Sequence, residues 1–359
     1  VCSSDLPKIQ TFLNSHYGQT AIDSLELLAQ SGSSRKYYRF NSEGKSLILT
    51  ESENIEENKT FLYFTTHFSK VIKNLPKIDK VSEDFSLYTQ SDLGNQSLMN
   101  LLETNPSEAK EIFRKSVKQL AKLQVFGDEN LDYSKAFSYP KFNYLMVLRD
   151  LFSFKNYFLN LTEIEFNQGR LLVDFERFAL DFEKLPHQYF VYRDFQSRNI
   201  MVQENEPFFI DYQGGMKGPV QYDLVSLLWQ AKAKLSDEWK SEFYEMYVKE
   251  FIDLTQKDLD GFESSPNPSK GGGIFKKGYD FCLIERLLQV LGTYGFRGIY
   301  ERKPHFLASI EFALKNLNEI KRLALLENYP EIKRMIEELA KPETFIKIKN
   351  RMDEGEIDC

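Results

Sequence analysis

Between residues 189 and 212 the chain reads Tyr-Phe-Val-Tyr-Arg-Asp-Phe-Gln-Ser-Arg-Asn-Ile-Met-Val-Gln-Glu-Asn-Glu-Pro-Phe-Phe-Ile-Asp-Tyr, and no other stretch constrains the fold as tightly. An apolar strand is expected to end at Asp194. Asn199 follows five positions later, then the strand Ile200-Met201-Val202, a turn, and the strand Phe208-Phe209-Ile210 ending at Asp211. Taken singly, Asp194 or Asn199 reads as the turn residue that closes a strand. Taken together, three oxygen-bearing side chains framed by three short strands can converge on one chemistry.

That chemistry is phosphoryl transfer. It needs a carboxylate to orient an attacking hydroxyl and take its proton, and hard oxygen ligands to hold Mg²⁺ on the phosphates of ATP. The pattern R-D-x-x-x-x-N followed by Asp on the next strand supplies them. Arg193, Asp194, Asn199 and Asp211 fit its order and spacing.

Around this block the chain divides in character. Residues 35–40 and 46–50 are rich in strand formers, and Asn41-Ser42-Glu43-Gly44 between them predicts a β-hairpin. A helix is expected over 55–72, strands over 78–81 and 85–89, and a hinge at residues 91–95. From Asn105-Pro106-Ser107-Glu108, a capped helix start, long helices take over, over 106–126, 142–161, 168–184 and 224–231. The expected domains are a nucleotide-binding lobe over 1–94, a catalytic and acceptor-binding lobe over 95–340, and a peripheral charged tail over 341–359. Ser264 to Gly273 cannot sustain regular structure, and its glycine-rich end at 269–273 is read as a connector or a flap.

Two phosphate cradles compete. Gly44-Lys45-Ser46 fails as a Walker A motif, because the earlier glycine would fall at Arg39 and a strand follows instead of a helix. Gly32, Ser33 and Ser34, small residues entering the first hairpin strand, are the better candidate. The third strand carries no lysine near Thr50, so Glu57 is left as the candidate helix partner of a cation supplied from elsewhere. Arg35, Lys36 and Arg39 are the possible substitutes.

Tyr192–Asn199, Asp211–Gly214 and Gly218–Leu228 together resemble the aminoglycoside phosphotransferase-like (choline kinase) superfamily. Within it, Ile284–Gly298 is similar to the late helix of the anomeric sugar kinases that act on N-acetylmuramate and N-acetylglucosamine. The resemblance implies an α+β, bilobal, protein-kinase-like fold with a small β-rich lobe and a larger helical one. By motif match Asp194, with Arg193 beside it, would be catalytic, and Asn199 and Asp211 would bind Mg²⁺. Tyr192 stands where the family usually has His; it and Asp223 would support the catalytic loop, Asp223 by bracing it or by capping the next helix. Arg286 and Arg297 are candidate substrate contacts, with a salt-bridged or surface Arg the plainer reading. Some relatives act beside a nucleotidyltransferase.

Only about ten residues separate Asp211 from the next helix and no Ala-Pro-Glu occurs there, which argues for a small acceptor instead of a peptide. An amino sugar is expected, with an aminoglycoside antibiotic as the second enzymatic reading and a nucleotide-binding pseudokinase as the non-catalytic one. The charge of −7 argues against a general nucleic-acid binder. No apolar run approaches the roughly 18 residues of a membrane helix, so no membrane partner and a cytoplasmic setting are expected. Cys2, Cys282 and Cys359 are too dispersed for a disulfide framework or zinc site. The first residue is Val1 instead of Met, which leaves open whether the chain is a fragment; any missing sequence is expected outside the catalytic unit.

Overall fold

The structure is a computed structural model in which residues 6–29, 35–256 and 273–353 are described. The expected cradle at Gly32, Ser33 and Ser34 and the glycine-rich segment up to residue 272 lie outside them. Helices α1 (Leu6–Tyr17) and α2 (Gln19–Asp23) precede β1 (Glu26–Leu27), β2 (Lys36–Ser42), β3 (Lys45–Glu51), α3 (Ile55–Phe68), β4 (Ile78–Val81) and β5 (Leu87–Ser91). The five strands form one sheet in the order β1-β2-β3-β5-β4. The hairpin is in register from Lys36 opposite Glu51 to Ser42 opposite Lys45. Its two-residue turn puts Glu43 at φ 50° and Gly44 at φ 74°, the left-handed pair that matches strand twist. Ile9, Phe12 and Leu13 of α1 bury against Tyr38, Phe40, Leu49 and Leu87 of the sheet.

Next come α4 (Leu98–Thr104), α5 (Pro106–Gly127), α6 (Tyr144–Tyr157), α7 (Gln168–Glu183), β6 (Gln188–Val191), β7 (Ile200–Gln203), β8 (Glu206–Phe209), β9 (Met216–Pro219) and α8 (Gln221–Leu228). The Asn105 side chain accepts from the Glu108 N–H, the expected cap of α5. α9 (Asp237–Thr255), α10 (Ile274–Tyr294), the π-helical turn Gly295–Tyr300, α11 (Pro304–Ile320), α12 (Pro330–Leu339) and α13 (Pro342–Asp353) complete the chain. The segment after Pro342, expected to be peripheral, is therefore helical, and its Ile348 is buried. The result is an α+β protein with the large sheet in its N-terminal part and a larger helical remainder.

Two compact units emerge, cut differently from a boundary at residue 94. One is Val1–Pro140 with Ser197–Gly215, the other Lys141–Gln196 with Met216–Cys359. The first keeps the β7–β8 hairpin because main-chain bonds tie it there: Val202 N–H to Gln96 O at 2.8 Å and Phe209 N–H to Asn74 O at 2.8 Å. In the second, β6 pairs antiparallel with β9, from Gln188 opposite Pro219 to Val191 opposite Met216. There α10 and the turn after it lie close on α6, and glycine makes that approach possible: a Cβ at Gly292 would stand 2.7 Å from the Phe154 nitrogen, and one at Gly295 would run into the Tyr157 oxygen. No helix among the described residues is long and apolar enough to cross a membrane.

Candidate active site

The motif places its residues in both units. Asp194 follows β6 in the helical unit, whereas Asn199 and Asp211 flank β7–β8 in the sheet-bearing unit.

In the helical unit the Asp223 carboxylate is fully buried and accepts two main-chain N–H groups, from Tyr192 at 2.7 Å and Arg193 at 2.9 Å. α8 begins at Gln221, so Asp223 lies inside its first turn; the N-cap is Val220, without a side-chain cap bond. The carboxylate braces the loop, and the positive end of the helix dipole favours its charge there. Tyr192 is buried, with its ring edge-on to Phe195. Arg193 has φ 76°, the left-handed region. Its guanidinium donates to Asp150 Oδ2 at 3.0 Å and lies 4.2 Å from the Phe142 ring centre and 4.9 Å from that of Tyr222.

Asp194, by contrast, keeps half of its side chain exposed. Arg286 on α10 comes to 3.6 Å from its Oδ1 and is itself buried, its Nη1 donating to the Tyr222 hydroxyl at 3.2 Å and to Gln289 Oε1 at 2.9 Å. The other proposed contact, Arg297, pairs with both oxygens of Glu301 one turn on, at 2.8 Å each. Sequence reasoning overlooked Asp150 and Glu285, which lie buried with Arg193. Their only signal was a carboxylate in the midst of a Leu- and Phe-rich helix. Burial, then the charge of Asp150, pushes the Glu285 carboxyl well up. Asp150 is buried too, yet the charges of Arg193 and Arg149 hold it below the usual carboxylate range.

In the sheet-bearing unit Asn199 is buried, and its amide reaches Asp211 Oδ2 at 3.4 Å. Gln213 donates to Asp211 Oδ1 at 2.7 Å and to Glu57 Oε1 at 3.2 Å. Glu57 is fixed at the start of α3, where Asn54 accepts its N–H, and pairs with Arg35 at 3.2 Å. Lys36 pairs with Glu51 at 3.3 Å and Arg39 with Asp92 at 2.7 Å. Of the three basic candidates on the hairpin, Arg35 is thus the one at Glu57, while Thr50 is buried. Gln213 was visible in the motif, but nothing in the sequence gave it a partner. Tyr212 locks this segment onto α3, stacked 5.1 Å from Phe61 with its hydroxyl 2.5 Å from that of Thr65.

Asn199 and Asp211 offer a carboxylate and an amide oxygen, hard donors that suit Mg²⁺, an ion bound by one or two carboxylates and substrate phosphates. Among the described residues no group of three or more His, Cys, Asp or Glu could hold a metal alone, so any ion here relies on ligands beyond such a cage.

The phosphotransferase enzyme family matches residues 27–258. A Neisseria meningitidis serogroup B protein named N-acetylmuramate/N-acetylglucosamine kinase is 24% identical over 323 residues, covering 88% of this chain and 90% of that one. A Pseudomonas putida protein of the same name is 21% identical over 320 residues, covering 86% and 87%. Among solved structures, an amicoumacin kinase in complex with AMP-PNP and Ca²⁺ superposes with a TM-score of 0.59 at 12% identity, covering 86% of this chain and 92% of that one. At that identity the likeness speaks for the fold.

Proposed function

We propose, on the premise that this chain belongs to the phosphotransferase enzyme family and is a small-molecule kinase with a hydroxyl acceptor, that it moves the γ-phosphate of ATP to the anomeric hydroxyl of an amino sugar. N-acetylmuramate and N-acetylglucosamine are the acceptors, as in the names of relatives similar over nearly their whole length. One observation carries the chemistry. Asp150, Asp223 and Glu285 are buried, while Asp194 stands half exposed.

Asp194 accepts the hydrogen bond of the acceptor hydroxyl, orients a lone pair at the γ-phosphorus and takes the proton as the new O–P bond forms. The bond from the γ-phosphorus to the bridging oxygen breaks and ADP leaves. Asn199 and Asp211 would hold Mg²⁺. The ion, when bound, neutralises charge on the phosphates. Arg193 is a positioning residue: its side chain is spent on Asp150 and two rings, and it holds the loop that carries Asp194. Arg35, paired with Glu57, takes the place of the strand lysine that other kinases pair with a helix glutamate.

The test is ATP consumption with each amino sugar, read alongside product formation. Asp194→Asn is expected to lower kcat by about 10²–10⁴-fold, the usual worth of a positioned base. Absence of turnover on any amino sugar by the unaltered chain would remove the acceptor assignment.

A further inference from the structure

We propose that Arg286 is a positioning and specificity-determining residue, whose fixed guanidinium aims Asp194 and weakens its pull on acceptors carrying ammonium groups beside the reacting hydroxyl. The inference rests on reading Asp194 as the base and deepens it toward acceptor class.

The side chain is built to stay in place. Its Nη1 end is anchored by Tyr222 and Gln289, which leaves Nη2 as the end nearest Asp194, at 3.6 Å. Only 7% of the side chain is exposed, against 50% for Asp194, so the cation stands behind the carboxylate and the acceptor meets Asp194 first. A hydroxyl bound within about 2.6–3.2 Å of Asp194 lies within about 7 Å of Nη2. That is inside one Debye length, about 8 Å, so salt does not erase the field. A neutral hydroxyl or N-acetyl substituent at that range is indifferent to the pair. With Arg286 behind it, Asp194 attracts an ammonium group less, and repels a carboxylate less, than it would alone.

The other carboxyls around the loop do not offset Arg286. Asp150 is engaged by Arg193 and Arg149. Asp223 accepts two main-chain N–H groups, and Glu285 is fully buried. Asp194 and Arg286 are therefore a charge pair met by an acceptor bound at Asp194.

The experiment compares the full chain with Arg286→Gln, Arg286→Lys and Tyr222→Phe, after thermal melting verifies that each folds. Steady-state constants are measured for N-acetylglucosamine, which is neutral, and N-acetylmuramate, which is anionic; kanamycin serves as a polycationic probe, its dissociation constant measured by calorimetry without turnover. Arg286→Gln is expected to lower kcat on the neutral sugar by about tenfold or more with KM within about threefold, the signature of lost positioning. It should also reduce the preference for the anionic over the neutral sugar by about tenfold, and tighten kanamycin binding by a similar factor. Arg286→Lys should restore the charge preference with only part of the kcat. Tyr222→Phe keeps the cation but loosens its anchor, so kcat falls while the preference stays. A Gln variant that keeps both the sugar preference and the kanamycin constant overturns the proposal. If the unaltered chain turns over neither sugar, the acceptor assignment fails, and the kanamycin constants of the Gln and Lys variants still decide the role of Arg286.

Discussion

The carboxylate proposed as base and the one proposed for the metal sit in backbone of the same unusual kind but are held by opposite means. Arg193, next to Asp194, has φ 76° and Asp211 has φ 71°, conformations that cost on the order of 1–3 kcal/mol for residues other than glycine. In the helical unit the strain is over-determined. Asp223 accepts two backbone N–H groups, and the Arg193 side chain is fixed by Asp150 and two aromatic faces. In the sheet-bearing unit the Asp211 carboxylate accepts from side chains, at 2.7 Å from Gln213, whose amide also reaches Glu57, and at 3.4 Å from Asn199. The difference fits the two tasks. A base must wait in one geometry for a hydroxyl, whereas a metal ligand must adjust to an ion that demands near-octahedral coordination.

Asp223→Ala is the strongest attempt to break this contrast. It leaves two buried N–H groups without an acceptor, each costing about 1–3 kcal/mol, so a loss of about 2–5 kcal/mol in urea unfolding is expected. Turnover should fall together with stability, because the loop that presents Asp194 is no longer held. A variant that loses activity with full stability would mean that Asp223 touches the reactants instead of the loop.

Gln213→Ala probes the other side and should behave in the opposite way. The expected result is a rise of about 10–100-fold in the Mn²⁺ concentration that half-saturates the protein, followed by electron paramagnetic resonance in the presence of nucleotide, as for the loss of an outer partner of a metal ligand. Stability should change by less than about 1 kcal/mol, since Gln213 bonds only to side chains. If stability falls as far as in Asp223→Ala, the two sites are held alike and the contrast fails.

How much of this was legible in the sequence follows from how local each cause is. The hairpin turn at Glu43-Gly44 and the Asn105 cap announce themselves within four residues, so those elements fell where expected. β9 carries no such local sign: Gly218 and Pro219 are poor strand formers, and only pairing with β6 makes the segment a strand. α1 is invisible in the sequence because nothing local shows that Ile9, Phe12 and Leu13 close the sheet. Helix α8 begins three residues before the expected Leu224, and this shift turns Asp223 from a cap into a brace. Motif spacing singles out Asp194, Asn199 and Asp211 as candidates, but their partners come from elsewhere in the chain. Arg35 reaches Glu57 from 22 positions away, and Arg193 reaches Asp150 from 43.

The smallest predicted effect sharpens the picture of the buried network. Glu285 is fully buried and has Asp150 as neighbour, and burial followed by that charge pushes its carboxyl well up. Asp150 carries the negative charge, held there by Arg193 and Arg149 against its own burial. The folded chain thus keeps a proton on Glu285 that the unfolded chain releases once pH exceeds the ordinary carboxylate range. Above that range the unfolded state binds fewer protons than the folded one, so this group's contribution to stability falls as pH rises, until the folded carboxyl itself ionises. Glu285→Gln removes the titration while preserving shape. It should match the unaltered chain near pH 4 and exceed its stability at pH 8. Urea unfolding of both proteins at the two pH values checks this. A gap that instead widens toward low pH would place the charge on Glu285, and Arg193 would then be balanced by two ionised carboxylates instead of one.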